Sequence, residues 1–298
     1  MNLNSPARFN ITALTEIWTG DENRKNESLR ETGLLGSLRW WCEALVRGLG
    51  GSACDIVNSG CNYDPDKKGQ SGEIIPREQQ ICVICELFGC TGWSRKFRLR
   101  LFDQNGLLNR IKPAKGTRFI MELLWLRKQY EQEDYGQKDK EIWLITKSLE
   151  IAANYGSIGG KTVLIPPDKD YGLFEVAYSH ELSCTCNDVM HYIKQYKQIP
   201  GMGEYPNLRR FFFSKGKCLD KNKIDKFFND LPGTLRSFMN GRIGESKKIF
   251  SFQHGGGRLW GYTRNESELQ TVINTINTLE KSGFSNLRTG REVIDGEL

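Results

Sequence analysis

The sequence has 298 residues, of which 38% are hydrophobic, so the chain is long enough to bury one large core or two modest ones. Its formal net charge of +6 suits a polyanionic partner without requiring one. No apolar stretch approaches the roughly 18 residues of a membrane span, and the N-terminus lacks the pattern of a secretion signal. We therefore expect a cytoplasmic protein without a membrane partner.

The first elements in the chain are a predicted strand and a predicted helix. Residues 7–14 alternate apolar and polar side chains, which is the period of a half-buried strand. In residues 29–51 the period changes to that of a helix of about four turns, followed by a glycine-rich stop. One stripe of this helix is apolar and contains Leu34, Leu38, Trp41 and Leu45. The opposite face carries Arg39, Glu43 and Arg47 at four-residue steps, which allow ion pairs.

A polar, cysteine-containing insertion at about 50–90 separates these elements from two further strands and a helix. RKFRLRLF and TRFIMELLWLR predict the strands, and residues 140–154 predict the helix. The order strand, helix, strand, strand, helix is close to that of a ferredoxin-like fold. We assign residues 1–160 to a first ferredoxin-like unit.

The second half offers strand-like segments in LFEVAYSHEL, RRFFFSKG and KKIFSFQ, helical segments near 187–198, 222–239 and 266–282, and a predicted loop at HGGGRLWGY. We assign residues 161–298 to a second, less regular ferredoxin-like unit. The predicted fold class is thus α+β, with two ferredoxin-like (RRM-like) units and an insertion in the first.

Four of the nine cysteines have spacing that is typical of a structural zinc site. Cys82 and Cys85 form a C-x2-C pair, and Cys54 and Cys61 form a looser pair upstream. Cys90 is a competing ligand that could replace Cys54 or Cys61. Buried free thiols are the alternative, although the clustering favours Zn²⁺.

Three segments combine glycine with cations and aromatic residues: TGLLGSLRWW, GCTGWSRKFRLR and HGGGRLWGY. Glycine allows close approach to a phosphate, while Arg and Trp can neutralise phosphates and stack on bases, which together indicate a path for single-stranded RNA. In the alternative interpretation Trp40 and Trp41 belong to the core and the glycines only form turns. GSIGGKT lacks the spacing of a phosphate-binding P-loop, so nucleotide triphosphate binding is not expected.

The histidines do not form a recognisable catalytic pattern. His180, His191 and His254 are widely separated and lack the usual nucleophile or carboxylate spacing, so we expect no enzyme activity. A metal-independent ribonuclease that uses His254 as general acid or base is the alternative.

The run TEIWTGDENRKNESLRETGLLGSLRWWCEALVRGLGG, followed by the cysteine cluster and LFGCTGWSRKFRL, closely resembles the first-numbered RAMP subunits of type III-B CRISPR (Cmr) effector complexes. The resemblance is specific over about residues 15–102 and weaker beyond. It implies ferredoxin-like folds and a non-catalytic subunit that binds the 3′ region of the guide CRISPR RNA and the paired target RNA, beside other RAMP subunits.

The resemblance also implies RNA-contacting roles for residues in the matching motifs: Arg24, Lys25, Arg30, Arg39, Trp93, Arg95 and Lys96. Lys161, Arg258 and Trp260 are added from the less similar glycine-rich segments. Because related RAMP families include guide-processing endonucleases, a RAMP endoribonuclease that processes guide RNA or cuts target RNA is the second hypothesis. A structural cap that contacts only protein is the third.

Overall fold

The computed structural model describes residues 6–23, 25–55, 60–107, 110–126, 135–159, 170–200, 205–241, 245–254, 256–279 and 287–298. Within these ranges the chain forms two four-stranded antiparallel sheets. The predicted α+β class with two ferredoxin-like units is confirmed. Among the described helices, none combines the length and the hydrophobicity needed to cross a membrane.

The first sheet has the strand order β2-β3-β1-β4, the arrangement of a ferredoxin-like unit. Its strands are β1 (Ala7–Ala13), β2 (Phe97–Asp103), β3 (Arg118–Trp125) and β4 (Phe174–Tyr178). The helices of this half are α1 (Glu31–Gly48), α2 (Arg77–Gln80), α3 (Val83–Phe88), α4 (Tyr135–Tyr155) and α5 (Cys186–Lys194). The apolar stripe predicted on α1 is buried, as expected from its helical period.

The position of β4 differs from the expectation. The sequence predicts this strand in the second unit, after a boundary at residue 160, but β4 pairs with β1 and completes the first sheet. Phe9 lies opposite Tyr178 in this ladder, and Ala13 lies opposite Phe174. The physical reason is that β1 would otherwise present an unpaired edge. The first unit therefore extends past residue 160.

The second sheet repeats the same order with later strands, β6-β7-β5-β8, so the second unit is as regular as the first. Its strands are β5 (Phe211–Lys215), β6 (Ile249–Phe252), β7 (Arg258–Tyr262) and β8 (Leu287–Thr289). Its helices are α6 (Lys221–Asp230), α7 (Gly233–Asn240), α8 (Glu266–Thr278) and α9 (Gly290–Glu297). The RLWGY segment, expected to be a loop, is a strand because it pairs with both β5 and β6.

The two units share a continuous apolar core at the helix α1. The ring centroid of Trp41 lies 5.8 Å from that of Phe211 and 5.3 Å from that of Trp260, both on the second sheet. Aromatic pairs at such separations add directional attraction to the burial of their surfaces. The side chain of Trp41 therefore packs at the junction of the two units.

A buried ion network connects the insertion to the first unit. Lys96 is fully buried, and its ammonium lies 2.5 Å from a carboxylate oxygen of Glu86 on α3 and 2.8 Å from one of Glu141 on α4. Arg77 adds a second cation, 2.8 Å from Glu86, and Tyr192 on α5 donates a hydrogen bond to Glu141. Two cations thus face two carboxylates inside the protein, which keeps the buried charge balanced.

The pKa shifts in this network follow from burial and pairing. Burial raises the pKa of Glu86, although Lys96 and Arg77 act in the opposite direction. Burial alone would lower the pKa of Lys96, but the carboxylates of Glu141 and Glu86 outweigh that effect and leave the pKa raised. Lys96 is therefore charged at neutral pH and is committed to these partners.

We expect Lys96→Met to lower the free energy of unfolding by about 3–5 kcal/mol, because it leaves two buried carboxylates without their central cation. The matched control is Arg98→Met on the exposed face of β2, for which we expect a change within about 0.5 kcal/mol. Urea unfolding followed by circular dichroism measures both values. Equal effects for the two variants would contradict the role assigned to the network.

Candidate functional site

Four cysteines of the insertion meet in one buried cluster. Cys54 and Cys61 follow α1, whereas Cys82 and Cys85 lie at the start of α3. All four sulfurs lie within 4.8 Å of one another, and those of Cys54 and Cys85 are 3.3 Å apart. Tetrahedral Zn²⁺ with bonds of about 2.3 Å places its sulfur ligands about 3.8 Å apart. The predicted ligand set is therefore brought together in an arrangement that can bind a metal ion.

The surroundings of the cluster suit thiolate ligands. The backbone N–H of Cys82 lies 3.4 Å from the sulfur of Cys61, and Arg39 Nη2 lies 3.5 Å from that of Cys85. Hydrogen bonds from neighbouring thiols lower the pKa of Cys54. Cys90 is half-buried and lies outside this group of four within the described chain. Four thiolates fill a tetrahedral site, so a metal here is structural rather than catalytic.

Arg39, predicted to contact RNA, instead supports the cysteine cluster. Besides its contact with Cys85, it donates hydrogen bonds to Glu43 at 3.0 Å and to the carbonyl of Gly89 at 3.0 Å. The ion pairs predicted along this face of α1 are present, but the face packs against the insertion rather than facing water. Its position between these partners makes Arg39 a structural residue.

The other predicted residues near the insertion have similar positions. Lys96 belongs to the buried ion network, so no RNA can reach its ammonium in this structure. Trp93 donates a hydrogen bond to the carbonyl of Glu86 at 3.0 Å, and the Arg77 guanidinium lies 4.6 Å from its ring centroid. Arg95 is half-buried over the ring of Phe97. Lys96 is thus buried, whereas Trp93 and Arg95 remain partly accessible. The sequence pattern does not reveal this difference.

Two predicted cations do lie on the surface. Arg30 precedes α1 and pairs with Asp21 at 3.5 Å, and Lys25 Nζ lies 4.0 Å from Glu27. Both side chains are more than half exposed, so their weak pairs leave them accessible to a phosphate. Arg24 and Lys161, the remaining predicted cations of the loops, lie outside the described residues.

A cleft between the two units brings together the segments TGLLGSLRWW, GSIGGKT and HGGGRLWGY through Trp40, Gly159 and Trp260. We call it the interdomain cleft, and its volume is about 390 Å³. It is lined by Thr32, Gly33, Gly36, Ser37, Trp40, Trp41, Ser157, Gly159, Ser246, Lys247, Phe250, Trp260 and Tyr262. Its lining comes from α1, from the loop after α4, from β6 and β7, and from the two residues Ser246 and Lys247 just before β6. The tertiary fold therefore converts separate sequence motifs into one concave surface.

One wall of the cleft is a face of α1 with small residues. Gly33, Gly36, Ser37 and Trp40 have the spacing i, i+3, i+4 and i+7, which places them on one side of the helix. A Cβ atom at Gly36 would have no atom within 4 Å, so packing within the described chain does not require glycine there. A glycine inside a helix costs about 0.5–1 kcal/mol relative to alanine. The position of Gly36 is therefore open to the cleft within the described chain.

A second wall of the cleft is the loop 156–159, which hydrogen bonds connect to α1 and β7. The buried guanidinium of Arg258 donates to the carbonyl of Gly156 at 2.6 Å, and Trp41 Nε1 donates to that of Ser157 at 2.9 Å. The backbone N–H of Gly159 donates to Ser37 Oγ at 2.8 Å. Arg258, predicted to contact RNA, is 4% exposed and positions this wall instead. Burial lowers its pKa to about 10.

Aromatic rings form the base of the cleft. Phe250 lies 4.2 Å from Trp260 between ring centroids, and Trp40 lies 6.0 Å from Trp260 and 5.9 Å from Tyr262. Trp40 is half-buried, so part of its ring remains accessible. Such rings offer flat apolar surfaces on which nucleobases can stack. Trp260 was predicted as a site residue, whereas Trp40 and Tyr262 lie in segments predicted to be on the RNA path but were not selected individually. The helical spacing of the small residues with Trp40 is the signal that indicates this face.

A second polar pocket of about 620 Å³ lies where β2 and β3 are connected. It is lined by the exposed cations Arg110, Lys112 and Arg118, which the sequence analysis did not select. The carbonyl of Ile111 accepts a hydrogen bond from the backbone N–H of Leu29, next to Arg30. Exposed cations therefore lie both at the start of α1 and at this connection.

His254 has a carboxylate partner that sequence spacing did not reveal. Its Nδ1 lies 3.0 Å from Asp170 Oδ2, and its backbone N–H donates to the same oxygen. The Asp170 side chain is buried, whereas the imidazole is about half exposed. This pairing orients the ring with one nitrogen held by the carboxylate, as in many general bases.

Comparisons with known proteins place the chain in a family. No curated protein matches the sequence. A structure search finds a cryo-EM structure of the type III-B Cmr-beta bound to cognate target RNA and AMPPnP in the presence of ssDNA, with a TM-score of 0.49 and 10% sequence identity. The match covers 91% of this chain and 98% of that chain. The family description of the RAMP superfamily matches residues 10–164, and the chain therefore belongs to the RAMP superfamily.

Proposed function

We propose that the protein is a non-catalytic RNA-binding RAMP subunit of a type III-B CRISPR effector complex in the cytoplasm. Its partners are the 3′ region of the guide CRISPR RNA, the paired target RNA and neighbouring RAMP subunits. The observation that carries this proposal is the interdomain cleft, which joins the half-buried ring of Trp40, an exposed glycine of α1 and the exposed cation Lys247. These are the features that bind single-stranded RNA without regard to its sequence.

The proposed mechanism is binding and positioning. Lys247 at the cleft and Arg30 before α1 are exposed cations that can neutralise phosphates, while Trp40 offers a ring for stacking. Phosphate contacts give sequence-independent affinity that weakens with salt. Stacking is also tolerant of sequence, because every base has a flat face. A subunit of an RNA-guided complex needs this tolerance, because the guide changes with each spacer.

The assignment to a type III-B complex rests on the sequence resemblance, and part of the resembling motif lies at the candidate site. The segment TGLLGSLRWW carries much of the resemblance to the first-numbered RAMP subunits, and it supplies one wall of the interdomain cleft. The same segment thus underlies both the family resemblance and the candidate site. Membership of the RAMP superfamily supports the broader part of this assignment.

The cysteine cluster is proposed to bind structural Zn²⁺ through Cys54, Cys61, Cys82 and Cys85. When bound, the ion would tether the loop after α1 to α3 in a segment too polar to form a core. Arg39 contacts the sulfur of Cys85 in this centre and donates a hydrogen bond to the carbonyl of Gly89. The centre therefore stabilises the charged face of α1, which is adjacent to its cleft face.

A RAMP endoribonuclease is the second candidate function, and the pairing of His254 with Asp170 is the observation that favours it. An oriented imidazole can accept a proton from a ribose 2′-hydroxyl. This function predicts that the purified chain cuts single-stranded RNA and that His254→Ala abolishes the cutting. The binding function predicts that the RNA stays intact with both proteins.

We expect Trp40→Ala to weaken the binding of labelled single-stranded RNA roughly 5- to 150-fold, because one stacking contact of about 1–3 kcal/mol is lost. The matched control is Phe228→Ala, which removes a half-buried aromatic ring from α6 in the second unit. Fluorescence anisotropy across a salt series measures the affinities. Equal affinity of Trp40→Ala and the wild-type protein would contradict the cleft as the binding site.

We expect the purified protein to contain a single zinc ion and Cys82→Ser to lose it, with a lower thermal unfolding temperature, because one thiolate ligand is removed. Cys186→Ser changes a half-buried thiol outside the cluster and should keep both properties. Metal analysis and differential scanning fluorimetry measure the outcome. Loss of zinc in Cys90→Ser but not in Cys54→Ser or Cys61→Ser would replace one proposed ligand with Cys90.

A further inference from the structure

The interdomain cleft contains two buried polar atoms that lack a hydrogen-bond partner within the described residues, Trp260 Nε1 and Ser157 Oγ. The two side chains are 3% and 5% exposed. A buried donor without an acceptor loses its hydrogen bond to water and gains nothing in return. Both atoms belong to residues that line the cleft. Because the atoms themselves have almost no accessible surface, a ligand supplies the missing partners only when neighbouring side chains move aside.

The chemistry of the lining restricts the ligand. Lys247 is the one charged residue among those that line the cleft, and it is exposed, whereas Phe250, Trp260 and Tyr262 on the second sheet are buried and aromatic. The lining therefore suits a flat, uncharged group with hydrogen-bonding edges. The exposed cation suits a phosphate attached to that group. A nucleotide within an RNA strand has this combination of parts.

We propose that the interdomain cleft takes up one unpaired nucleobase of the bound RNA strand, with Trp260 Nε1 and Ser157 Oγ hydrogen-bonded to its edge. The inference rests on the proposed function, since it identifies the part of the RNA that this site binds. The aromatic rings contact the base, and Lys247 lies near the phosphate. One nucleotide is thereby removed from the base stack of the strand.

The donor set makes this site tolerant of base identity. An indole N–H only donates, and every nucleobase offers at least one ring nitrogen or carbonyl oxygen that accepts. A serine hydroxyl donates or accepts, so it can match the neighbouring group on the base. The cleft is therefore suited to recognise that a base is unpaired rather than which base it is.

Gly36 provides a way to block the site without disturbing the fold. A side chain at this position meets no atom of the described chain within 4 Å of its Cβ, yet it extends from a residue that lines the cleft. Gly233 in α7 has the same freedom and lies outside the cleft lining. Gly36→Leu and Gly233→Leu are therefore a matched pair of variants.

The test is photocrosslinking of the full-length protein to single-stranded oligo(5-iodouridine), followed by trypsin digestion and mass spectrometry. We expect crosslinks on the tryptic peptides 40–47 and 259–264, which contain Trp40 and Trp260. We expect Gly36→Leu to reduce these crosslinks and the RNA affinity roughly 5- to 150-fold, the equivalent of one stacked base. Gly233→Leu should match the wild-type protein.

A second variant tests the hydrogen bond alone. Ser157→Ala removes the hydroxyl and leaves the rest of the lining, so we expect RNA affinity to fall roughly 2- to 10-fold. Tight RNA binding with crosslinks only on other peptides, or unchanged in Gly36→Leu, would overturn the base-binding site while leaving the proposed function intact. Absence of RNA binding by the wild-type protein would overturn both.

Discussion

The contact between the indole of Trp41 and the backbone of Gly156 determines the shape of the interdomain cleft. A Cβ atom at residue 156 would lie 2.1 Å from the ring of Trp41, so only glycine allows the loop to approach this closely. Trp41 Nε1 also donates to the next carbonyl, that of Ser157. The same ring contacts Phe211 and Trp260 of the second sheet. One side chain thus holds the loop and both units together.

Three faces of the helix α1 differ in chemistry, and each faces a different part of the protein. Its apolar stripe packs in the core, its charged face carries Arg39 and Arg47, and its small-residue face lines the cleft. Arg47 donates to the carbonyls of Ala53 in the insertion and Pro206 near the second sheet, each at 3.0 Å. A change in the insertion therefore affects the cleft through the position of one helix. On the proposed function, a metal ion bound by the cysteine cluster would influence RNA binding through this helix rather than by contact with RNA.

The sequence predicts local features well and distant pairings poorly. The amphipathic pattern of α1 and the spacing of Cys82 and Cys85 are local signals, and the structure contains the expected helix and cysteine cluster. The strand that pairs with β4 is β1, more than 150 residues earlier in the chain. The alternation of apolar and polar residues in β4 predicts a strand but does not identify this partner. Lys96 illustrates the same limit, because the sequence does not distinguish a buried lysine from an exposed one. Its buried position becomes evident only from its ion pairs with Glu86 and Glu141 in the folded protein. For Trp40 the sequence left both an RNA-path role and a core position open, because an aromatic ring suits either.

The central claim is that single-stranded RNA lies in the interdomain cleft and contacts both units. Hydrogen–deuterium exchange of the full-length protein, with and without single-stranded RNA, tests it most directly. The account predicts simultaneous protection of residues 32–41, 156–159, 246–252 and 258–262, since these segments line or support the cleft. Protection confined to the cysteine insertion, or to one of the two units, would contradict it.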